Sequence, residues 1–270
     1  MRRSVAKGLS TILSTLWKKG RINFNNAVEK VKRVWYNGDM TIKPPDFSAV
    51  AETIKRNEEK FDAFFELLIS YNARYNLTAI TEKKEVNFKH FVDSLAGAEA
   101  FPAGARVLEV GSGAGFPSIP LMLARGDLRF TLVESTGKKC EFLRAAVKKF
   151  GLFAEVINKR AEELAKESAF REQFDVCCAR AVARLNTLAE YCMPFVKKGG
   201  SFIAYKGDAE EEIREAERAL AVLGGGETET VRYSLPEGYG ERALVITRKL
   251  RPTPPQYPRG QGKERSQPIK

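Results

Sequence analysis

The apolar positions of this chain follow two rhythms. Between residues 46 and 100 they recur at helical intervals. Phe61, Phe64, Phe65, Leu67, Leu68 and Ile69 make one stripe, and Phe88, Phe91, Val92 and Leu95 make a second. Such stripes belong to helices that turn one face to a core. From Ala105 onward, short apolar runs alternate with helical stretches. The runs predict strands at 106–110, 129–134, 154–158, 174–179, 200–206 and 243–248. The stretches between them predict helices at 117–124, 138–150, near 186–195 and at 209–222. This alternation predicts a parallel, doubly wound α/β sheet over 101–250. The helices of 41–100 form a small cap on it, with their aromatics in the core. Residues 251–270 hold five of the twelve prolines and show no apolar periodicity, which predicts an extended tail.

One run carries chemistry as well as structure. Val107-Leu-Glu-Val-Gly-Ser-Gly-Ala-Gly-Phe-Pro117 is a buried-type strand that ends in Gly111, Gly113 and Gly115. Pro117 suits the first turn of a helix, where its missing N–H is harmless. Strand, glycine turn and helix together bring backbone N–H groups close to a nucleotide-like ligand. The next strand ends at Glu134, 23 residues after Gly111, where a carboxylate can accept hydrogen bonds from both ribose hydroxyls. The dinucleotide fingerprint asks for glycine where Phe116 stands, so a dinucleotide oxidoreductase is disfavoured. S-adenosylmethionine leads, with Phe116 as a pocket wall. Ligands of such sheets bind at the carboxyl ends of the strands, and Gly111, Glu134, Ala161, Glu162 and Arg180 all follow predicted strand ends.

Charge changes the picture at both ends. Residues 1–40 carry a net +7 and residues 248–270 a net +6, which leaves −2 of the total +11 for the body between. Basic ends are a common footprint of nucleic-acid binding, with an anionic membrane surface or simple solubility as the other readings. In 1–40, Leu9, Ile12, Leu13, Leu16 and Trp17 recur at helical spacing and no acid precedes Glu29. An amphipathic helix, a disordered basic extension, a transit peptide and a start at Met40 all stay open. No run approaches the length of a membrane span. Cys140, Cys177, Cys178 and Cys192 form no C-x-x-C pair, and His90 is the single histidine. That composition argues against a zinc site and fits buried thiols in a reducing cytoplasm.

The motifs in order resemble the bacterial small-subunit rRNA guanine-N7 methyltransferases, the RsmG or GidB family. The resemblance runs from Phe61 to Arg259. It rests on Gly111 to Pro120, Glu134-Ser-Thr-Gly-Lys-Lys139, Phe142-Leu143, Arg160-Ala-Glu162, Phe174-Asp175, Ala179 to Ala183 and Tyr205-Lys-Gly207. Tyr75-Asn-Leu-Thr78, His90 to Ser94, Gly240-Glu-Arg242 and Pro254 to Arg259 extend it. It implies a Rossmann-like class I S-adenosylmethionine-dependent methyltransferase sheet. It implies transfer to N7 of a guanine in 16S rRNA at position 527, by a cytoplasmic monomer acting on the rRNA or a small-subunit assembly intermediate. The family's cofactor contacts match Gly111, Phe116, Ala161, Glu162 and Arg180. Glu134 stands where the family often has Asp, and Ser118 where Gly is more usual.

Guanine N7 bears a lone pair and no proton, so its attack on a methyl needs no general base. A chain with one histidine and no evident Ser-His-Asp or Cys-His arrangement permits that reaction and disfavours hydrolysis. Lys139, Arg144, Arg184 and Lys206, with Lys138 and Arg180, are candidates for phosphate contacts. His90, with Asp93 and Ser94, is a candidate on the substrate side. Two other functions stay open: an S-adenosylmethionine methyltransferase on another RNA or another substrate, and a noncatalytic RNA-binding module.

Overall fold

The structure is a computed structural model and describes residues 42–270; the expectations for 1–40 lie outside the described residues. Three helical stretches come first. α1 (Phe47–Arg56) starts at Asp46, whose carboxylate accepts from the amides of Ser48 and Ala49, an N-cap that satisfies two open donors. α2 (Glu58–Tyr75) ends at Asn76 in the left-handed region. α3 (83–96) is continuous but opens into a π-helical turn over Asn87–Val92.

The sheet then builds as β1 (Arg106–Val110), α4 (Ser118–Ala124), β2 (Arg129–Glu134), α5 (Gly137–Phe150), β3 (Ala154–Asn158), α6 (Ala161–Leu164), β4 (Phe174–Arg180), α7 (Leu185–Cys192), β5 (Val196–Lys206), α8 (Glu210–Val222), β6 (Gly225–Ser234) and β7 (Glu241–Lys249). The strand order is β3-β2-β1-β4-β5-β7-β6. β1 to β5 pair in parallel, whereas β7 runs antiparallel to β5 and β6 antiparallel to β7. The sheet is therefore mixed and has one strand more than the periodicity predicts. β6 was hidden because its glycines and Thr/Glu alternation give no apolar run. Its link to β7 is the short 235–240 turn, too short for the crossover that a parallel pair requires.

Alternating side chains divide the core between the two faces of the sheet. Val107, Leu132, Val176, Cys178 and Ile203 face α1 to α5, so the cap aromatics Phe61, Phe64 and Phe91 pack into the same cluster. Leu108, Val133, Cys177, Ala179 and Phe202 face α6, α7 and α8. The result is a seven-stranded mixed α/β sheet with the cap helices on one side.

The tail departs from a loosely extended segment. It contains a single helical turn, α9 (Lys263–Ser266), and is fixed by polar contacts. Arg171 donates to the carbonyls of Thr253, Pro254 and Tyr257. Arg259 meets the buried Glu190 at 2.7 Å. The wholly buried Lys249 ammonium donates to the carbonyls of Met193 and Val196 and to Thr253 Oγ1. Burial lowers that amine to about 8, against the pull of Glu172. No described helix is long and apolar enough to cross a membrane.

Candidate active site

β1 stops at Val110 and the chain turns through Gly111, Gly113 and Gly115, at φ 68°, 51° and 78°. A Cβ on Gly111 would lie 2.6 Å from Val182, and one on Gly115 would lie 2.5 Å from Ile119. Only glycine permits both the dihedral and the close packing. A Cβ on Gly113 would meet nothing nearer than the Gly111 carbonyl oxygen at 3.7 Å, so the Cα side of this residue is open to close approach.

The loop is tied to β2. The amides of Gly111 and Ser112 donate to the Val133 carbonyl at 2.8 and 3.2 Å. The amides of Gly113 and Thr136 donate to the Glu134 carboxylate at 3.0 and 2.8 Å. Glu134 thus organises the loop, and a carboxylate has further lone pairs for a ligand. Asn158, at the end of β3, donates to the Glu134 carbonyl at 3.0 Å. Ala161 is buried just beyond, beside the half-buried Glu162. The ends of β1, β2 and β3 therefore converge, as a nucleoside site at the carboxyl rim requires.

On the cap side, Phe116 is only 6% exposed and is packed among Phe64, Phe91 and His90. The His90 ring stacks on it at 4.4 Å, and the Arg180 guanidinium lies 5.0 Å from its centroid. Phe116 is thus a joint between cap and loop more than a free wall. Arg180 donates to the Lys89 carbonyl and to Asp93 Oδ2 at 2.8 Å, and its other nitrogen meets His90 Nδ1 at 2.9 Å. Nδ1 also lies 3.0 Å from the Lys89 carbonyl, and Nε2 meets Thr78 Oγ1 at 3.1 Å. Burial, and then the Arg180 charge, lower the His90 imidazole to about 3. It is neutral at any working pH. Asp93 is held further by Tyr233, whose hydroxyl donates at 3.0 Å, and by Arg242 at 3.6 Å.

Glu109 escaped the sequence reading. It is a wholly buried carboxyl within β1, close behind the loop. Its Oε2 accepts from Ser118 Oγ at 2.6 Å, while Oε1 has no partner among the described residues. Burial raises this carboxyl to about 7, with Ser118, Ser112 and Arg180 pulling the other way. The signal was an acid inside an otherwise apolar strand.

The candidate cations separate. Lys206 is already engaged: its ammonium donates to the Ala183 carbonyl at 2.7 Å and pairs with Glu212 at 2.6 Å, with 10% of the side chain exposed. It braces the loop after β4 and offers little free charge. Arg184 pairs with Glu215 at 2.7 Å but stays half exposed. Lys139 and Arg144 lie on α5, Arg144 in solvent and Lys139 partly buried. Among the described residues there is no group of His, Cys, Asp and Glu side chains able to hold a metal.

Comparison with known proteins meets this geometry from outside. The family model described as rRNA small subunit methyltransferase G matches residues 57–242. A ribosomal RNA small subunit methyltransferase G of Lactobacillus acidophilus is 43% identical over 224 residues, covering 81% of this chain and 93% of the relative. One from Lachnoclostridium phytofermentans is 45% identical over 219 residues, covering 80% and 90%. Among solved structures, an S-adenosylmethionine-dependent O-methyltransferase from Thermotoga maritima aligns with TM-score 0.48 at 17% identity, over 69% of this chain and 73% of that one. A match across the glycine loop, the β2 carboxylate and the Arg180 segment leaves one conclusion: the chain belongs to the rRNA small subunit methyltransferase G family.

Proposed function

We propose that the protein transfers a methyl group from S-adenosyl-L-methionine to N7 of a guanine in 16S rRNA, the nucleotide at position 527. The observation that carries the reading is the character of the rim. A glycine loop and the Glu134 carboxylate suit a nucleoside, while the only histidine is held neutral with a value of about 3. When bound, S-adenosylmethionine supplies a methyl group on a sulfonium, so the hard chemistry is the cofactor's. The residues present fit that cofactor. Gly113 leaves room for close backbone approach, Glu134 keeps lone pairs for ribose hydroxyls, and Ala161 and Glu162 stand at the adenine edge. Gly111, Gly115, Phe116 and Arg180 shape the methionine side.

The protein's part is then alignment and exclusion of water. N7 offers its lone pair without losing a proton, so no side chain needs to accept one. A purine methylated at N7 carries positive charge. Arg180 is already balanced by Asp93 at 2.8 Å, so the site sets no uncompensated cation against that charge. Of the rim cations, Lys139 and Arg144 on α5, and Arg184, stay available for RNA phosphates, and His90 sits on the substrate side through Phe116. To test the reading, the enzyme, labelled cofactor and an unmodified 16S rRNA transcript or small-subunit particle are combined, and the RNA is digested to nucleosides. The expected product is 7-methylguanosine. Label on another base or atom would overturn the target assignment, and cofactor binding with no transfer to any RNA would favour a binding module.

A further inference from the structure

Beyond the cofactor loop, on the face of the sheet away from the cap, lies a groove of about 790 Å³. Its walls come from the loop after β4, from α8 and from the tail. Arg184, Arg214, Arg218, Arg265 and Lys270 line it, all exposed, against Glu215 and Glu217. Glu215 is already neutralised by Arg184 at 2.7 Å. Arg214, Arg218, Arg265 and Lys270 take part in no ion pair among the described residues. Positive charge is thus gathered here and left open, on a body whose sequence between the basic ends is nearly neutral.

The groove also has a direction. Its inner wall includes Val182 and Ala183. Val182 is the side chain that would collide with any Cβ on Gly111, at 2.6 Å, so the groove adjoins the first glycine of the loop. The preceding residue, Ala181, sits at φ 57°, a left-handed conformation unfavourable for a side chain. It turns the chain sharply from Arg180, which faces the cap, to Val182, which faces the groove. From the tail, Arg265 donates to the Val182 carbonyl at 3.4 Å. The tail therefore closes one wall and brings two of its own cations, Arg265 and Lys270, to the groove.

We infer that this groove is the track for the RNA backbone, seating the phosphates next to the nucleotide whose base enters the site. The inference rests on the rRNA reading above and names the surface that serves it. Four of the five cations are arginines, whose planar forks match phosphate oxygens in pairs. Arg214 and Arg218 stand one turn apart on the same face of α8. A lipid surface fits less well: the large exposed apolar side chains among the described residues are Phe153 and Leu250, and neither lines the groove.

The test is an Arg214→Ala/Arg218→Ala variant, with Arg265→Ala as an independent variant from the opposite wall. Both α8 positions are exposed and alanine favours helix, so the variant should melt like the wild type. Binding to a labelled unmodified 16S rRNA transcript is measured from 50 to 200 mM salt. At the lowest salt the double variant should lose roughly 5- to 50-fold in affinity. Its slope of log affinity against log salt should fall by about 1.5, the counterion release of two phosphate contacts. Binding of S-adenosylmethionine should be unchanged. Unchanged RNA affinity and slope in folded variants from both walls would overturn the groove, even if wild type forms 7-methylguanosine. Conversely, lost affinity in the variants with a product other than 7-methylguanosine would sink the N7 assignment and leave the groove standing.

Discussion

Arg180 and Arg214 serve opposite ends of one design. Arg180, on the cap side of the rim, has 13% of its side chain exposed and every contact directed inward, to Asp93, His90, Lys89 and the face of Phe116. Arg214, on α8, is exposed and has no ion-pair partner among the described residues. The same residue type thus fixes geometry where the dielectric is low and attracts a polyanion where water is present. Charge is worth more in the first setting and is screened in the second. Net charge alone could not have separated the two.

The contrast predicts a wide difference in stability. Arg180→Ala strands Asp93, which is 3% exposed and would keep only Tyr233 and the more distant Arg242. It should lose about 3–5 kcal/mol, the usual result of removing one partner from a buried pair. An exposed substitution such as Arg214→Ala should stay within about 0.5 kcal/mol. Urea unfolding of both variants checks this, and similar losses in the two would erase the distinction.

On the cofactor side, Glu134→Ala should weaken S-adenosylmethionine binding by about 1–3 kcal/mol, the range for a hydrogen bond to a charged group. The loss has two sources, the ribose acceptor and the anchor of the Gly113 amide. Calorimetry on a folded variant with unchanged affinity would remove Glu134 from the site.

Glu109 sharpens the comparison through pH. Its carboxyl is raised by burial to about 7 from 4.5, so the folded state holds a proton that the unfolded state has lost across that interval. Stability from this group is therefore fully present below about 4.5 and falls as pH rises to about 7. Glu109→Gln should remove that slope, gaining about 1–3 kcal/mol relative to wild type at pH 8 and little at pH 5. Unfolding curves at the two pH values with the same wild-type-to-variant difference would refute the titration. A small effect is also expected at Arg184, half exposed and paired with a half-exposed Glu215. Arg184→Ala should cost no more than about 1 kcal/mol in stability, and thermal melts would show it.

Much of this was legible in the sequence, for physical reasons. Buried strands must be apolar, so β1 to β5 and β7 stood out. A chain that turns back on itself beside a helix needs glycine, so the loop at 111–115 stood out too. The end-of-strand rule then located Glu134 and Arg180. What stayed hidden depends on contacts between distant polar groups, which no periodicity reports. Lys206 lies where a rim cation should, but Glu212 on the next helix claims it. The tail's order comes from Arg171, Lys249 and the buried Glu190, each far away in sequence. Removing 251–270 would thus take away structural anchors as well as charge, so point substitutions in the groove probe RNA contacts more cleanly than truncation.

The proposed transfer to guanine N7 requires no titrating proton acceptor. Single-turnover rates at saturating cofactor and RNA, measured across about pH 6.5–8.5, test it most directly. They are best recorded in Glu109→Gln as well as wild type, because Glu109 titrates within the window at about 7. The variant's rate should stay nearly flat, and any wild-type slope should disappear in it. A bell-shaped profile with two pKa values inside the window, present in both proteins, would contradict this and require a base that the rim does not display.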